Sequence, residues 1–582
     1  MHRSLRLLPA AAALLAGCAS AGVAPRAADD LPRSLAPRPT EGAITPADLM
    51  TRLYIFADDS MQGRESGTIG NVKATDYVAR EMARMGLQPG GEDGGWFQTV
   101  PILISRVDDA SSFAVDGARL ALWTDVAPQL GGTTTRPFHG AASLVFGGQV
   151  GGTLITPGQA AGRAVVVRAA PPVPPMRGVR MATPPFAGPP ATLRAQQQAL
   201  LPISRVAAAL VYVLPDSSAA GAFARERASR QEIAVPPVAG ATIAPVLLVA
   251  ERVARGLFAD RSALDGALGA TGRQLSGDLV ISRVPAPYPS RNVIGVLPGA
   301  DARLRGEYVA VGAHNDHIGL TAHPLDHDSV LANNMVVRRQ GVQDAVRVPT
   351  ATEARRIAVL RDSLRVAHGG VRADSVNNGA DDDGSGTVAM LEIAERFATQ
   401  PDRPARSLLF VSHTGEEKGL WGSQWFTDHP TVPRDSIVAQ LNMDMVGRGK
   451  ATDIMGRGPN NVQLIGPRRL STQLGDLIDS VNAARTPHMD IDASFDANGH
   501  PLNRYCRSDH YMYARYGIPI TYFSLGYHTG YHQVVDEPQD IDYEHMARIA
   551  SFVHDIAQAI ANRPARLVVD QPKPDPQGGC RQ

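Results

Sequence analysis

From Arg291 onward, short apolar runs of strand length alternate with longer segments of helical periodicity. This alternation is typical of a sheet covered by helices on both faces, because parallel strands need long crossover connections. We therefore predict an α/β fold, a three-layer α/β/α arrangement with a mostly parallel central sheet. The predicted strands include 308–312, 408–412, 437–443 and 519–524, and the clearest helices are 387–397 and 543–560.

Residues 133–284 have a different pattern. Short β-branched or apolar runs recur at 143–146, 164–167, 209–213 and 245–249, separated by glycine and proline. Eight prolines lie between residues 171 and 190, which excludes regular structure there. We predict a small β-rich domain inserted into the larger one; the alternative is that these strands extend the main sheet.

The amino terminus has the pattern of a secretory signal. Basic residues precede an apolar stretch at 7–17, which is too short to span a bilayer. The stretch ends in Leu15-Ala16-Gly17-Cys18, which resembles the lipobox of bacterial lipoproteins and implies that Cys18 is lipidated; a plain signal peptide is the alternative. By the same resemblance, Ala19 in place of Asp implies a periplasmic protein anchored to the outer membrane. We predict a signal peptide at 1–18 and a flexible linker at 19–44.

The overall charge gives no sign of a nucleic-acid or strongly charged partner. Lys+Arg and Asp+Glu both number 57, so no basic field attracts nucleic acid. After Cys18, only Cys506 and Cys580 remain, too few for a disulfide framework although they can pair. We predict a main domain formed by 45–132 and 285–563, interrupted by the insert, and a disordered tail at 564–582.

Candidate metal ligands stand near the ends of predicted strands. They are His314, the acidic run 381–383, the adjacent Glu416 and Glu417, Asp444 and His532. If the acidic run and the glutamate pair each supply one ligand, the set contains two histidines and three carboxylates. Such a set suits a pair of zinc ions that share one carboxylate. Such a pair activates a shared water, and a further carboxylate must take its proton. One of the two glutamates can bind metal while the other is this base, and Asp316 can accept the second ring N–H of His314.

These motifs, in this order, resemble the M28 family of zinc peptidases, which includes bacterial aminopeptidases and glutamate carboxypeptidase-like proteins. The resemblance covers residues 47–560, since the insert resembles the protease-associated (PA) domain of several members. It implies that Asp382, four residues before Gly386, bridges two Zn²⁺ ions. The implied ligands are His314, Asp382, Glu417, Asp444 and His532. The resemblance further implies that Glu416 is the general base and that Asp316 supports His314.

Further polar residues near these motifs can be functional or structural. Tyr505 and Tyr531 are candidates to donate a hydrogen bond to a developing oxyanion, or they pack at the pocket wall. We expect His317 and His413 to be buried, hydrogen-bonded structural histidines; metal ligation is the alternative for both. His528 is ranked second to His532 as a ligand, because the spacing to Asp536 favours His532.

A long insertion separates His314 from Asp382. Residues 321–376 contain a helical pattern at 353–365 and are tethered between two predicted ligands. We therefore expect this insertion to lie near the mouth of the site. Our hypothesis is that it narrows access to short peptides or to one chain end; a peripheral embellishment is the alternative.

The resulting expectation is a dizinc exopeptidase with peptide substrates, an aminopeptidase that releases amino-terminal residues. A glutamate-carboxypeptidase-like enzyme is the alternative, because Arg504 and Arg507 are near enough in sequence to bind a substrate carboxylate. A glutaminyl cyclase is a further alternative, but it would use a single zinc ion, and the complete second set of ligands argues against it. A non-catalytic binding protein of the same fold would be expected to have lost ligands.

Overall fold

The structure is a computed structural model that describes residues 31–129, 135–168, 200–227, 230–233, 242–265, 267–339, 341, 344, 347–449, 458–576 and 578–582. The predicted signal peptide with Cys18, the first part of the linker and the proline-rich segment 171–190 lie outside these residues.

Strands and helices are numbered in chain order. The strands are β1 (Gln88–Pro89), β2 (Phe97–Val100), β3 (Ile102–Val107), β4 (Ser112–Val115), β5 (Ala118–Leu120), β6 (Val126–Gln129), β7 (His139–Gln149), β8 (Ala164–Arg168), β9 (Ala209–Leu214), β10 (Arg230–Ile233), β11 (Val246–Ala250), β12 (Thr271–Asp278), β13 (Ile281–Pro285), β14 (Ser290–Leu297), β15 (Tyr308–His314), β16 (Leu320–Asp326), β17 (Ala373–Val376), β18 (Ser407–His413), β19 (Ile437–Met443), β20 (Asn461–Ile465), β21 (Asp490–Asp492) and β22 (Ile520–Ser524). The helices are α1 (Pro46–Phe56), α2 (Ile69–Arg84), α3 (Pro157–Ala160), α4 (Asp216–Arg227), α5 (Glu251–Ala254), α6 (His327–Val337), α7 (Ala351–Ala367), α8 (Gly386–Thr399), α9 (Trp421–Asp428), α10 (Thr472–Ala483), α11 (His510–Ala514) and α12 (Tyr543–Ala561). Within the described ranges, no helix combines the length and the apolar character that crossing a membrane requires.

The central sheet has the strand order β1-β14-β18-β15-β19-β22-β20-β21, with β2 beside β14. Its middle strands β18, β15, β19 and β22 are parallel, and antiparallel pairs flank them on both sides. The predicted strands of this region are all present, since their apolar runs are buried on both faces as parallel strands require.

Helices cover both faces of this sheet, which confirms the predicted three-layer arrangement. Helices α1, α2, α8 and α12 pack in one apolar core, where the side chains of Leu53, Val78, Ile393 and Ile549 are fully buried. Helices α9 and α11 pack in the core on the other face, which includes Phe426.

The ends of the central strands explain why distant motifs meet. The register pairs His314, the last residue of β15, with His413, the last residue of β18. Strand β19 runs parallel to β15 and is followed directly by Asp444. Polar residues that follow parallel strands lie at the same edge of the sheet. The loops after β15, β18 and β19 therefore lie side by side.

The β-rich insert is a separate sheet, ordered β5-β4-β12-β7-β8-β9-β11-β6. The alternative that its strands extend the central sheet is wrong. Strands β4, β5 and β6 also belong to this sheet, so the insert begins before the predicted boundary at residue 133. The cause is long-range pairing: β4 pairs with β12, and Phe113 of β4 packs on Phe138. Strands β3 and β13 pair with each other at the point where the chain leaves and re-enters the main domain.

The insertion at 321–376 forms a hairpin that carries two helices. Strands β16 and β17 pair with Leu320 opposite Val376, and α6 and α7 lie between them in sequence. The predicted helix at 353–365 falls within α7. The amide of Asn334 in α6 donates to the side-chain oxygen of Gln533 at 2.6 Å. The hairpin therefore contacts the loop that contains His532.

The last residues of the chain are held against the main domain, and the prediction of a disordered tail at 564–582 is wrong for its described part. Leu567 is buried, and Cys580 forms a disulfide with Cys506. The side chain of Gln582 accepts a hydrogen bond of 3.1 Å from the backbone N–H of Tyr505. Prolines prevent helix and strand here, but they do not prevent side-chain packing.

Candidate metal centre

A first group of ligand atoms lies at the ends of β15 and β19. Nε2 of His314 is 3.3 Å from Oδ1 of Asp382 and 3.8 Å from Oδ1 of Asp444. All three side chains are buried. Four ligands placed tetrahedrally at about 2.1 Å from a zinc ion are about 3.4 Å apart. The observed spacings therefore suit a single cation.

A second group contains four residues. Nε2 of His532 is 3.0 Å from Oδ2 of Asp382 and 3.0 Å from Oε2 of Glu417. Nδ1 of His317 is 2.7 Å from Oε1 of Glu417 and 3.8 Å from Oδ2 of Asp382. The structure thus brings together all five predicted ligands and adds His317, for which ligation was the alternative to a structural role. His317 follows His314 by only three residues, and this spacing is the sequence signal that could have indicated a second ligand.

Asp382 joins the two groups. Its Oδ1 faces His314 and its Oδ2 faces His532, so one carboxylate is shared between two cation positions. Its backbone N–H donates to the carboxylate of Asp536 at 3.2 Å, and the N–H of Asp381 donates to the same carboxylate at 3.1 Å. Asp536 therefore fixes the loop that positions the shared ligand.

The neighbouring Asp383 links this loop to both strands of the first group. Its carboxylate accepts hydrogen bonds from the backbone N–H groups of His314 at 3.0 Å and Met445 at 3.2 Å. Asp381, on the other side of Asp382, accepts from the N–H of Gly447 at 2.6 Å. The acidic run is thus divided into one ligand and two supports. The sequence identified the run but not the supporting roles.

Arg64 is a further positioning residue that the sequence did not indicate. Its fully buried guanidinium donates to the backbone carbonyls of Asn378 at 2.5 Å, Gly379 at 2.8 Å and Asn315 at 3.2 Å. These carbonyls belong to the loops that carry Asp382 and His314. Arg64 therefore connects both sides of the centre.

The residues present fit a pair of zinc ions. Within the described residues, buried atoms of both groups have no hydrogen-bond partner: His314 Nε2, His317 Nδ1, Asp382 Oδ2, Glu417 Oε1 and His532 Nε2. Leaving a buried polar atom unsatisfied costs about 1–3 kcal/mol. A cluster of such atoms facing one another is expected where a cation satisfies them, and imidazole with carboxylate is a zinc donor set.

The charge of the centre also favours cations. Burial lowers the pKa of His532, but the carboxylates of Glu417 and Asp382 outweigh this effect and raise the pKa to about 10. The buried carboxylates thus produce a strongly negative local field. The same field would hold divalent ions.

Asp316 supports the centre differently from our prediction. The ring nitrogen Nδ1 of His314 lies 3.1 Å from the backbone carbonyl of Asp316, whereas the Asp316 carboxylate is 3.6 Å away. That carboxylate instead accepts from the backbone N–H of Glu416 at 3.1 Å and from the hydroxyl of Ser66 at 3.2 Å. Asp316 thus orients His314 through its backbone and Glu416 through its side chain.

Glu416 lies beside the first group. Its Oε2 is 3.9 Å from Nε2 of His314, and its side chain keeps 12% of its surface exposed. Burial raises the pKa of its carboxyl, and the neighbouring carboxylates of Asp444 and Glu417 raise it further. This side chain combines contact with the centre and access to solvent, as a proton-transferring residue requires.

The two candidate tyrosines differ in position. Tyr531 stacks on the ring of His532, with centroids 3.8 Å apart, so it lies at the second group. Tyr505 packs against Tyr511 and under the guanidinium of Arg469, next to the carboxyl-terminal tail. Tyr531 is therefore the better placed of the two to contact a substrate.

The remaining histidines lie outside the two groups. His413 is buried, with Nε2 3.1 Å from the hydroxyl of Tyr513, which is the structural role that we expected. Nε2 of His528 is 3.4 Å from Oδ2 of Asp381. His528 thus packs against a supporting carboxylate, while His532 belongs to the second group.

Comparison with known proteins gives a consistent result. Residues 292–557 match the model of peptidase family M28. A protein named "Probable zinc metalloprotease" from Pyrenophora teres f. teres (strain 0-1) is 28% identical over 207 residues, which cover 32% of this chain and 41% of that protein. "Leucine aminopeptidase 1" of Coccidioides posadasii (strain C735) is 32% identical over 169 residues, covering 26% and 40%. The matched segment thus spans less than half of either relative.

The solved structures that align with most of this chain have low sequence identity to it. The aminopeptidase from Aneurinibacillus sp. strain AM-1 aligns with a TM-score of 0.46 at 13% identity, covering 91% of this chain and 97% of that one. A zinc aminopeptidase from Bacillus subtilis aligns with a TM-score of 0.43 at 16% identity, covering 89% and 95%.

Proposed function

We propose that the protein, whose residues 292–557 match the model of peptidase family M28, is a dizinc aminopeptidase that hydrolyses the amino-terminal bond of peptides. The observation that supports this most directly is the shared carboxylate of Asp382, with His314 on one side and His532 on the other. A carboxylate between two sets of ligands is the arrangement that holds two ions close together.

The proposed chemistry uses the residues around this carboxylate. When bound, two zinc ions would polarise the substrate carbonyl and make the attacking water more acidic. Glu416 accepts a proton from that water and delivers it to the departing amine. Asp316 holds the backbone of Glu416 in position for this transfer. Tyr531, whose ring stacks on that of His532, is the candidate to donate a hydrogen bond to the substrate.

An aminopeptidase is favoured over a glutamate-carboxypeptidase-like enzyme by the contacts of Arg504. This side chain is fully buried and donates to the hydroxyls of Tyr522 and Ser524, both at 2.7 Å. It also donates to the side chain of Gln463. Its two terminal nitrogens are thus engaged inside the protein, which leaves Arg507 as the remaining candidate to bind a substrate carboxylate.

A glutaminyl cyclase and a non-catalytic binding protein are both less well supported. A glutaminyl cyclase with a single zinc ion would not need the complete second group of His317, Asp382, Glu417 and His532. A binding protein without activity would not need Glu416 as a base beside intact ligands. Neither of these two proteins would release amino-terminal residues from a peptide, so a cleavage assay separates them from an aminopeptidase.

The proposal is tested with peptides whose ends are free or blocked. Zinc-loaded protein should cleave free-amino peptides one residue at a time, fail on amino-acetylated ones, and stop when a chelator is added. Glu416→Gln should retain zinc while kcat falls about 10³-fold or more, because the base is lost. Cleavage of amino-blocked but not carboxy-blocked peptides would instead identify a carboxypeptidase. No cleavage of any peptide by the zinc-loaded protein would refute the proposal.

We further propose that the protein is a lipid-anchored periplasmic protein, on the basis of the sequence before Cys18. In a bacterium with two membranes, the full chain should fractionate with outer membranes. Cys18→Ser should release it from the membrane fraction, whereas the control Ser20→Ala should not. An equal distribution of the parent and of Cys18→Ser would contradict the anchor.

A further inference from the structure

His317 distinguishes the two cation positions. It follows His314 by three residues, yet its ring reaches the opposite side of Asp382: His314 lies next to Oδ1 and His317 next to Oδ2. The first group consists of His314, Asp382 and Asp444, while the second has His317, Asp382, Glu417 and His532. The second group thus contains one ligand atom more than the first.

The ring of His317 is fixed by packing. It is fully buried, and its backbone N–H donates to the carbonyl of Arg64 at 3.3 Å. A Cβ atom at Gly379 would lie 2.5 Å from Cγ and Cδ2 of His317, so the ring occupies the space that a side chain would fill. Its edge meets the ring of His532 with centroids 5.5 Å apart. The orientation of Nδ1 is therefore determined by the protein itself.

Nδ1 of His317 does not form an ordinary hydrogen bond with Glu417. The two atoms are 2.7 Å apart, yet both His317 Nδ1 and Glu417 Oε1 are without a hydrogen-bond partner in the described part of the chain. Two polar atoms can lie this close without the alignment of a hydrogen bond when both are directed at a common cation. The same pattern holds for Nε2 of His532 and Oδ2 of Asp382, which are 3.0 Å apart.

We propose that His317 is a fourth protein ligand of the second zinc position, an inference that rests on the proposed function. Four protein ligands complete a tetrahedral zinc site, whereas three leave a place open for water. The second position is therefore the more fully ligated of the two and would hold its ion more tightly. The first position, with three protein ligands and Glu416 3.9 Å from His314, is the one with room for the attacking water.

This proposal predicts unequal binding of two zinc ions. The metal-free full chain should bind one ion much more tightly than the other in a calorimetric titration. His317→Ala should weaken the tighter site by about 100-fold or more, since even loss of an outer partner of a ligand weakens metal binding by 10–100-fold. His317→Gln, which keeps more of the packing, should weaken the same site. The matched control His413→Gln removes a buried histidine outside both groups and should leave both affinities unchanged.

A spectroscopic measurement identifies the ligand directly. X-ray absorption of the two-zinc protein should detect three imidazoles for two zinc ions, and His317→Ala should reduce this to two. Thermal unfolding of the metal-free variants shows whether they are folded. Unchanged zinc affinities in both His317 variants, or two imidazoles in the parent, would overturn the inference.

Failure of this inference is distinguishable from failure of the proposed function. If the parent binds two zinc ions and cleaves peptides but the His317 variants bind zinc as the parent does, only the role of His317 is wrong. If the parent binds zinc but cleaves no peptide, the proposed function is wrong while the measured affinities still decide the role of His317.

Discussion

Asp382 is the residue that the two candidate cation positions share, because each of its oxygens faces a different histidine. Asp444 and Glu417 each belong to one group only. The consequences of removing these three carboxylates therefore differ. Comparing the zinc content of the three variants therefore tests whether Asp382 is shared, and the test needs no substrate.

We predict that Asp382→Ala loses both zinc ions, from about two per chain to nearly none after dialysis, since each site loses a ligand. Asp444→Ala should keep the ion of the second group, and Glu417→Ala the ion of the first. Zinc content measured by mass spectrometry decides this. Retention of one ion by Asp382→Ala would show that the carboxylate is not shared.

The sequence allowed the five residues that the structure brings together to be predicted as candidate ligands, because each stands near the end of an apolar strand or before a helix. It did not allow the role of His317 to be predicted. The direction of a side chain in a loop depends on backbone angles and on neighbours such as Gly379, which lies far away in sequence. Arg64 was missed for the same reason, since its partners are carbonyls of two distant loops.

At the scale of elements, the hairpin at 321–376 is attached to the loop that carries His532. Asn334 binds Gln533, and Nε2 of His327 lies 3.7 Å from Oε1 of Glu537. Arg372 donates to Nδ1 of His327 at 2.6 Å, whereas Nε2 of His327 has no hydrogen-bond partner among the described residues. The hairpin is thus held in place by polar contacts beside the metal centre.

We predict that shortening this hairpin alters substrate length preference. Leu320 and Val376 are paired, so a short Gly-Ser turn can join them without moving the main strands. The ratio of kcat/KM for long peptides to that for dipeptides should rise about tenfold, or ~1.4 kcal/mol, because the entrance widens. Val366→Ser, at a side chain 84% exposed on α7, is the control with an intact hairpin. An unchanged ratio with full zinc content would mean that the hairpin does not restrict access.

For the whole molecule, helix and strand periodicity was sufficient to predict the three-layer architecture, but not the boundary of the insert. Strands β4 and β6 are short and have no local pattern that assigns them to either sheet. Their sheet is decided by pairing with β12 and β11, respectively, more than a hundred residues later in the chain. Such long-range pairing is not encoded in local periodicity.

The disulfide between Cys506 and Cys580 ties the end of the chain to the main domain across a sequence separation of 74 residues. We predict that Cys580→Ser lowers the free energy of unfolding of this domain by about 2–4 kcal/mol, because the unfolded chain gains freedom. Urea unfolding followed by fluorescence measures the change. Cys506→Ser and the double variant should show the same loss as the single one. Equal stability of the parent with and without reductant would contradict the prediction.

Strands β3 and β13 lie side by side at the base of the insert, so the polypeptide departs and returns through neighbouring positions. A single recombination event between these two points could add, delete or exchange the intervening coding sequence. None of the strands that build the central sheet would be interrupted by it. The geometry thus lets evolution vary the accessory module while the candidate metal centre is inherited intact.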